Sequence, residues 1–435
     1  MARKLFGTDG VRGEVGSKLT ADLALALGRA ATAGLPPRAD GTPPRVLLVR
    51  DTRESGEMLQ AALSAGITEA GGDALLAGVL PTPAAPLLVR RYGFDLAAVI
   101  SASHNPYADN GIKFFGPDGF KLSDAAELEI ERALEQPPVR SSRVGRVEEL
   151  LGTQEDYLRE LHSRFGALDL SGLRILLDCA NGSTYAVAPE IFRRLGAEVT
   201  TLATDPDGRN INDGCGSTHI EVLGAQIAQG GHDVGFAFDG DGDRVLAVDR
   251  TGTVVDGDEL VAMAALHLQV PGVAITVMTN YGFHAAMAQA GVEVATTAVG
   301  DRYVLEELRA RDWRLGGEQS GHIIDMAFCP SGDGIASALL TLEALAGRDL
   351  AERGGMEKLP QRLVNVRVSD RDATMAAPAV AEATARESAA LAGRGRVLLR
   401  PSGTEPLVRV MVEAPSAEEA DAVCERLVAV VTAAA

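Results

Sequence analysis

The sequence predicts an α/β protein: three related α/β domains, each containing a βαβ unit, followed by a smaller C-terminal α+β domain. One pattern occurs three times, as VLLVRDTRESGEMLQAALSAGITEAGGDALLAG from Val46, ILLDCANGSTYAVAPEIFRRLGAEVTTL from Ile175 and AITVMTNYGFHAAMAQAGVEVATTAVGD from Ala274. Each copy reads as an apolar strand, a polar turn, a helix with apolar residues three to four apart, a glycine and a second strand. The order changes near the end. From Asn365 come the strand NVRVSD, a helix to about Leu391, the strand RVLLR, a turn, the strand LVRVMVEA and a helix after Pro415. That order suits one sheet with its helices on a single face. Length agrees, since 435 residues exceed one core and suggest about three domains.

The expected boundaries give domains 1–150, 151–255, 256–362 and 363–435. They fall at the Pro/Arg/Ser stretch from Pro137 to Arg146, near Asp256 and near Leu359. Hydrophobic residues make up 46% of the chain and aromatic residues only 4%, so Leu, Val and Ala must fill the cores. A formal net charge of −19 argues against nucleic acid and anionic membrane as partners, though an anionic substrate needs only a local basic site. MARKLFGTDG meets Gly, Asp and Arg before an apolar signal region could form, and no apolar run reaches membrane-spanning length. Cys179, Cys215, Cys329 and Cys424 lie far apart without CxxC spacing, as reduced thiols filling the core of a cytoplasmic protein would.

The densest chemistry is DGDGDR, Asp239 to Arg244. Asp239, Asp241 and Asp243 alternate with glycines between the apolar runs DVGFAF and RVLAVD, which places the acids on a tight loop between two strands. Three carboxylates this close repel one another unless a cation neutralises them. All-oxygen ligation suits Mg²⁺, which commonly combines carboxylates with phosphate oxygens. A solvated acidic turn is the plainer alternative. A calcium loop of the EF-hand type does not fit, because Arg244 stands at its sixth position and Arg250 at its twelfth.

Four further segments carry polar groups suited to a site. ISASHNPYADNGIKFF follows the apolar run LAAVI and places Ser103 on a turn-rich loop beside His104 and Asn105. It lacks the GxSxG pattern of a hydrolase elbow, and neighbouring Ser and His rarely face each other. RPSGTEPLVRV gathers Arg400, Ser402, Thr404 and Arg409 around Gly403, a composition that suits a phosphate cradle or, more plainly, a hairpin turn. GGEQSGHII offers Glu318 and Ser320 to vicinal sugar hydroxyls, with a turn role equally open. GTDGVRG presents Arg12 on a glycine-flanked loop.

As a set and in this order, these motifs resemble those of the α-D-phosphohexomutase superfamily over nearly the whole chain. GTDGVRG, SASHNPYADNGIKFFGPDGFKLSD, DCANGSTYAVAPEIFRRLGAEV, GRNINDGCGSTH, DGDGDR, VGDRYV, GEQSGHII and RPSGTEPLVRVMVEA carry the resemblance. It implies four domains around a central cleft and a phosphoserine at Ser103, with one Mg²⁺ per chain held by Asp239, Asp241, Asp243 and the Ser103 phosphate. Arg244 is expected beside that phosphate, and Gly300, Asp301 and Arg302 in the substrate-orienting loop. Glu318 and Ser320 are expected at the sugar hydroxyls, and Arg400, Ser402, Gly403, Thr404 and Arg409 at the phosphate that is not reacting. Arg12, Lys113 and His322 are expected to assist proton and charge transfer. The implied activity interconverts glucosamine 6-phosphate and glucosamine 1-phosphate through glucosamine 1,6-bisphosphate, which also serves as activator, in amino-sugar nucleotide synthesis. Glucose or mannose phosphates are the alternative substrates, and the expected state is monomer or homodimer. The chain departs from the family pattern at Glu14, Val15 and Gly16, at Ala108, and in DMAFCPSGDG after Ile324.

Overall fold

The computed structural model describes residues 4–36, 38–137, 141–402 and 405–435. The first α/β segment is built on a six-stranded sheet, in the order Val11–Glu14, Asp109–Phe115, Leu96–Ile100, Arg45–Arg50, Asp73–Val79, Val147–Glu149. Arg45–Arg50 pairs in parallel with strands on both sides, while Asp109–Phe115 returns antiparallel to Leu96–Ile100. The central strands LAAVI and RVLLVR are apolar runs rather than alternating ones, as burial on both faces requires. One of those faces carries helices Ala21–Ala33 and Ser55–Glu69, which cross closely. A Cβ at Gly66 would sit 1.9 Å from the Leu25 carbonyl oxygen, and one at Gly28 would sit 2.4 Å from that of Leu63. Only glycine permits that approach.

The second segment has a five-stranded sheet, in the order Val254–Val255, Val245–Asp249, Val234–Phe238, Arg174–Asp178, Glu198–Leu202. The third has four strands, Glu293–Thr297, Gly272–Thr276, Leu315–Gly317 and Ile323–Asp325. The last has three antiparallel strands, with Leu407–Glu413 between Gln361–Arg367 and Arg396–Pro401. The chain divides into two compact units, residues 1–277 with 295–354, and residues 278–294 with 355–435. Helix Tyr281–Ala290, from the third βαβ repeat, therefore groups with the C-terminal strands. Asn280 Nδ2 donates to the Leu359 carbonyl at 3.0 Å, and the Tyr281 backbone amide donates to Glu413 Oε2 at 2.9 Å.

The helix expected to run unbroken to Leu391 is two helices, Arg371–Ala376 and Pro378–Ala390. Pro378 is the cause. It suits a first helical turn and drives the residue before it out of the helical region, so Ala377 is extended. The expected start at Asn365 is also late, for that strand begins at Gln361. All four cysteines are buried free thiols. Among the described residues, no helix is long and apolar enough to cross a membrane.

Candidate active site

Ser103 follows the buried strand Leu96–Ile100 and is itself buried, with φ at 53°. A left-handed backbone costs a non-glycine residue about 1–2 kcal/mol, so neighbouring groups must hold it. Arg53 supplies much of that hold. Its guanidinium is wholly buried and donates to the carbonyls of Ser103 (2.9 Å), Asn105 (2.8 Å), Asp109 (2.9 Å) and Pro106. Arg53 Nε also binds Asp51 at 2.8 Å, which supplies the counter-charge a buried cation requires. Asn212, from the second segment, donates to the carbonyls of Ser103 and Asn105 at 3.0 and 3.1 Å.

The acids do sit on a tight loop between antiparallel strands Val234–Phe238 and Val245–Asp249. Asp239, Asp241 and Asp243 are all buried, and one oxygen from each lies within 4.8 Å of the others. Ser103 Oγ donates to Asp239 Oδ2 at 2.6 Å, joining the serine loop to the acidic loop. Thr82 Oγ1 donates to Asp241 Oδ2 at 2.6 Å, and Lys113 Nζ lies 2.8 Å from the same oxygen. Burial and the charges of Asp243 and Asp241 hold the Asp239 carboxyl well above the usual range. Burial works against the Lys113 cation, but Asp241, Asp9 and Asp243 outweigh it and raise its pKa. Asp241 Oδ1 and Asp243 Oδ1 are buried without a hydrogen-bond partner. Crowded carboxylate oxygens of this kind fit a hard divalent ion such as Mg²⁺.

Around the trio stand groups the sequence pointed to and some it did not. Arg244 approaches His104 Nδ1 at 3.1 Å, while its amide donates to Asp239 Oδ1 at 3.2 Å. His322 Nδ1 lies 3.6 Å from Asp243, and His322 Nε2 accepts from the Gly332 amide at 3.1 Å. Burial works against the imidazolium, but Asp243 and Asp301 outweigh it and raise the His322 pKa, while the Gly332 amide aimed at Nε2 favours a ring with that nitrogen unprotonated. Glu318 Oε1 accepts the Gly300 amide at 2.9 Å, which ties the sugar-binding motif to the GDR loop. Ser320 is exposed. Asp301 pairs with Lys121, which also pairs with Asp9, itself the partner of Arg12. Arg302, expected among the substrate contacts, is buried and paired with Asp124 and Glu127 on the first segment. Arg53, Thr82, Asp9, Lys121 and Asn212 escaped sequence reasoning. Asp9, Lys121 and Asn212 lie inside the motifs GTDGVRG, GFKLSD and GRNINDG, and RDTRESG sets Arg53 at the end of a core strand.

In the C-terminal unit, Arg400 and Arg409 are register partners on adjacent strands. Like charges facing each other destabilise a sheet, and a bound anion reverses that effect. Arg400 Nη1 lies 3.2 Å from the Met278 sulfur, a weak acceptor. Buried Ser402 fixes the turn, its amide bonded to the Leu407 carbonyl and its hydroxyl to the Glu405 amide at 3.3 Å. Arg371 reinforces the turn by donating to the Ser402 carbonyl. Gly403 and Thr404 lie outside the described residues.

The contact of Ser103 with a buried carboxylate cluster, on this four-part fold, points to the class of phosphohexomutases, and the chain belongs to the phosphoglucomutase/phosphomannomutase family. The family's α/β/α domains I, II and III match residues 3–139, 155–252 and 256–363, and its C-terminal domain matches 363–430. Among individual relatives, the chain is 52% identical over 430 residues to the phosphoglucosamine mutase of Moorella thermoacetica, covering 96% of each. It is 48% identical over 445 residues to that of Mycolicibacterium paratuberculosis, covering 99% of each. A phosphoglucomutase/phosphomannomutase family protein from Burkholderia thailandensis superposes with TM-score 0.82 at 25% identity, over 99% of this chain and 97% of that one. N-acetylphosphoglucosamine mutase of Aspergillus fumigatus, solved with GlcNAc-6P and magnesium, shares the fold at TM-score 0.66 and 18% identity, over 99% and 96% of the chains.

Proposed function

We propose that this protein works as a phosphoglucosamine mutase, interconverting glucosamine 6-phosphate and glucosamine 1-phosphate through a phosphoserine enzyme and the 1,6-bisphosphate. The observation that carries the reading is the 2.6 Å contact of Ser103 Oγ with Asp239 inside the buried carboxylate cluster. A lone structural serine has no need to bond a member of a buried cluster of three carboxylates. The choice of glucosamine is supported by relatives of that name at about half identity over nearly the full chain.

Ser103 carries the phosphoryl group and gives it to one end of the sugar monophosphate. The bisphosphate turns end for end, and its other phosphate returns to Ser103. Asp239, Asp241 and Asp243 would hold Mg²⁺, which supplies charge neutralisation where phosphoryl oxygens gather. Arg244 faces the transferring phosphate, and Arg12, Lys113 and His322 balance charge and protons around the attacking hydroxyl. Gly300 and Asp301 orient the sugar, with Arg302 acting through the loop's footing on Asp124 and Glu127. Glu318 and Ser320 bind the sugar hydroxyls. Arg400, Ser402, Gly403, Thr404 and Arg409 hold the phosphate that is not reacting, in either orientation of the intermediate. Such transfer depends on alignment and charge more than on covalent assistance. Buried free thiols suit a reducing compartment, and we place the enzyme in the cytoplasm as a monomer or homodimer. Assay of the purified protein on glucosamine, glucose and mannose phosphates, with Mg²⁺ and catalytic bisphosphate, tests the reading. Glucosamine phosphate should give the highest kcat/KM, and a preference for glucose or mannose phosphate would reassign the substrate.

A further inference from the structure

Residues Ser331–Gly334 lead from strand Ile323–Asp325 into helix Gly334–Leu345 and reach the site by two backbone amides. The Gly332 amide donates to His322 Nε2 at 3.1 Å, and the Gly334 amide donates to the Gly242 carbonyl of the acidic loop at 3.0 Å. The fit is closed. A Cβ at Gly332 would lie 2.6 Å from both the Asp243 carbonyl oxygen and His322 Cε1, and one at Gly334 would lie 2.5 Å from the Arg244 carbonyl oxygen. The segment thus acts as a wedge that sets His322 against the acidic loop.

The wedge is anchored from the second segment. Tyr157, wholly buried on helix Thr153–Phe165, places its hydroxyl 3.0 Å from each Asp333 oxygen. Asp333 is also buried, and its Oδ1 caps the following helix by accepting from the Ala336 amide at 2.9 Å. Burial pushes the Asp333 carboxyl up to about 7 despite these bonds, so the Tyr157 hydroxyl is a needed partner of the anion.

We propose that Tyr157 and Asp333 are positioning residues for phosphoryl transfer: together they pin Ser331–Gly334, whose amides fix the His322 ring relative to the acidic loop. The proposal rests on the mutase reading above. Tyr157→Phe removes one oxygen from a buried contact and keeps the ring in the core. Small misplacements at a reacting centre cost up to about a hundredfold, so kcat on glucosamine 6-phosphate should fall at least about tenfold with KM changed less than about twofold. Asp333→Asn keeps an acceptor for both Tyr157 and Ala336 and should hold kcat within about threefold of wild type, whereas Asp333→Ala should match the Tyr157→Phe loss. A second readout needs no turnover: the ring ¹H and ¹³C shifts of His322 should move in Tyr157→Phe, because the Gly332 amide that fixes the ring is no longer pinned, and stay near wild type in Asp333→Asn. Wild-type kcat in Tyr157→Phe, or an imidazole spectrum unchanged by the substitution, would overturn the proposal. Failure of the wild type to isomerise any hexose phosphate would instead overturn the mutase reading, and the imidazole spectra would still decide whether the wedge positions His322.

Discussion

Ser103 Oγ lies 2.6 Å from Asp239 Oδ2, although 136 positions separate the two residues in the chain. Two loops from two sheets are brought into register, and Arg53 and Asn212 hold one of them from behind.

Ser103→Ala should abolish turnover and leave the melting temperature close to wild type. Mass measurement of the intact chain should show one phosphate on the wild type after incubation with bisphosphate and none on the variant. Substantial turnover by the variant would remove Ser103 from the mechanism.

The carboxylate trio should need its cation. Asp241→Asn removes one charge from the cluster and should cut activity at least about a hundredfold. EDTA should silence the wild type and Mg²⁺ restore it. Full activity in chelator would mean that the trio is held by Lys113 and its neighbours alone.

Arg409 faces Arg400 across two strands, an arrangement that suits a shared anion. Losing its charge-assisted bonds should cost about 2–3 kcal/mol in kcat/KM for sugar phosphates. Hydrolysis of a small aryl phosphate, which has no second phosphate to hold, should be spared. Unchanged sugar-phosphate turnover in Arg409→Ala would leave the motif a turn and nothing more.

Asp333 should make the stability of the fold depend on pH. Burial raises its carboxyl to about 7, against roughly 4 in an unfolded chain. A raised folded value contributes stability that is complete below about pH 4 and lost as the pH climbs through about 7. The nearby Asp243 charge adds to the effect, while Tyr157 and the Ala336 and Ile335 amides oppose it. Asp333→Asn does not titrate, so its melting temperature should gain on the wild type between about pH 4 and pH 7. A difference that stays constant with pH would contradict this.

How much of the site the sequence discloses depends on whether its chemistry is local. DGDGDR condenses three carboxylates into five positions, so both the acidic loop and its flanking strands are legible. The βαβ repeat, written in apolar spacing, is legible as well, and Arg400 and Arg409, nine positions apart, do meet as cross-strand partners. Arg53, Thr82, Asn212 and Tyr157 are different. Each acts on a partner at least 50 positions away, and nothing in the neighbouring residues reveals that partner. Arg302 is a related case. It lies in a recognised motif, and nothing in that motif shows that Asp124 and Glu127, far off in sequence, also engage its charge. The helix break at Pro378 was open to inspection, since proline constrains the residue before it.

In the proposed mechanism Ser103 passes its own phosphate to the sugar and takes another in return. Enzyme labelled with ³²P on Ser103, mixed in single turnover with unlabelled glucosamine 6-phosphate, separates this from hydrolysis. The label should move into the bisphosphate and then into glucosamine 1-phosphate, leaving the protein phosphorylated but cold. Label released as inorganic phosphate, or retained on the protein while product forms, would contradict the account.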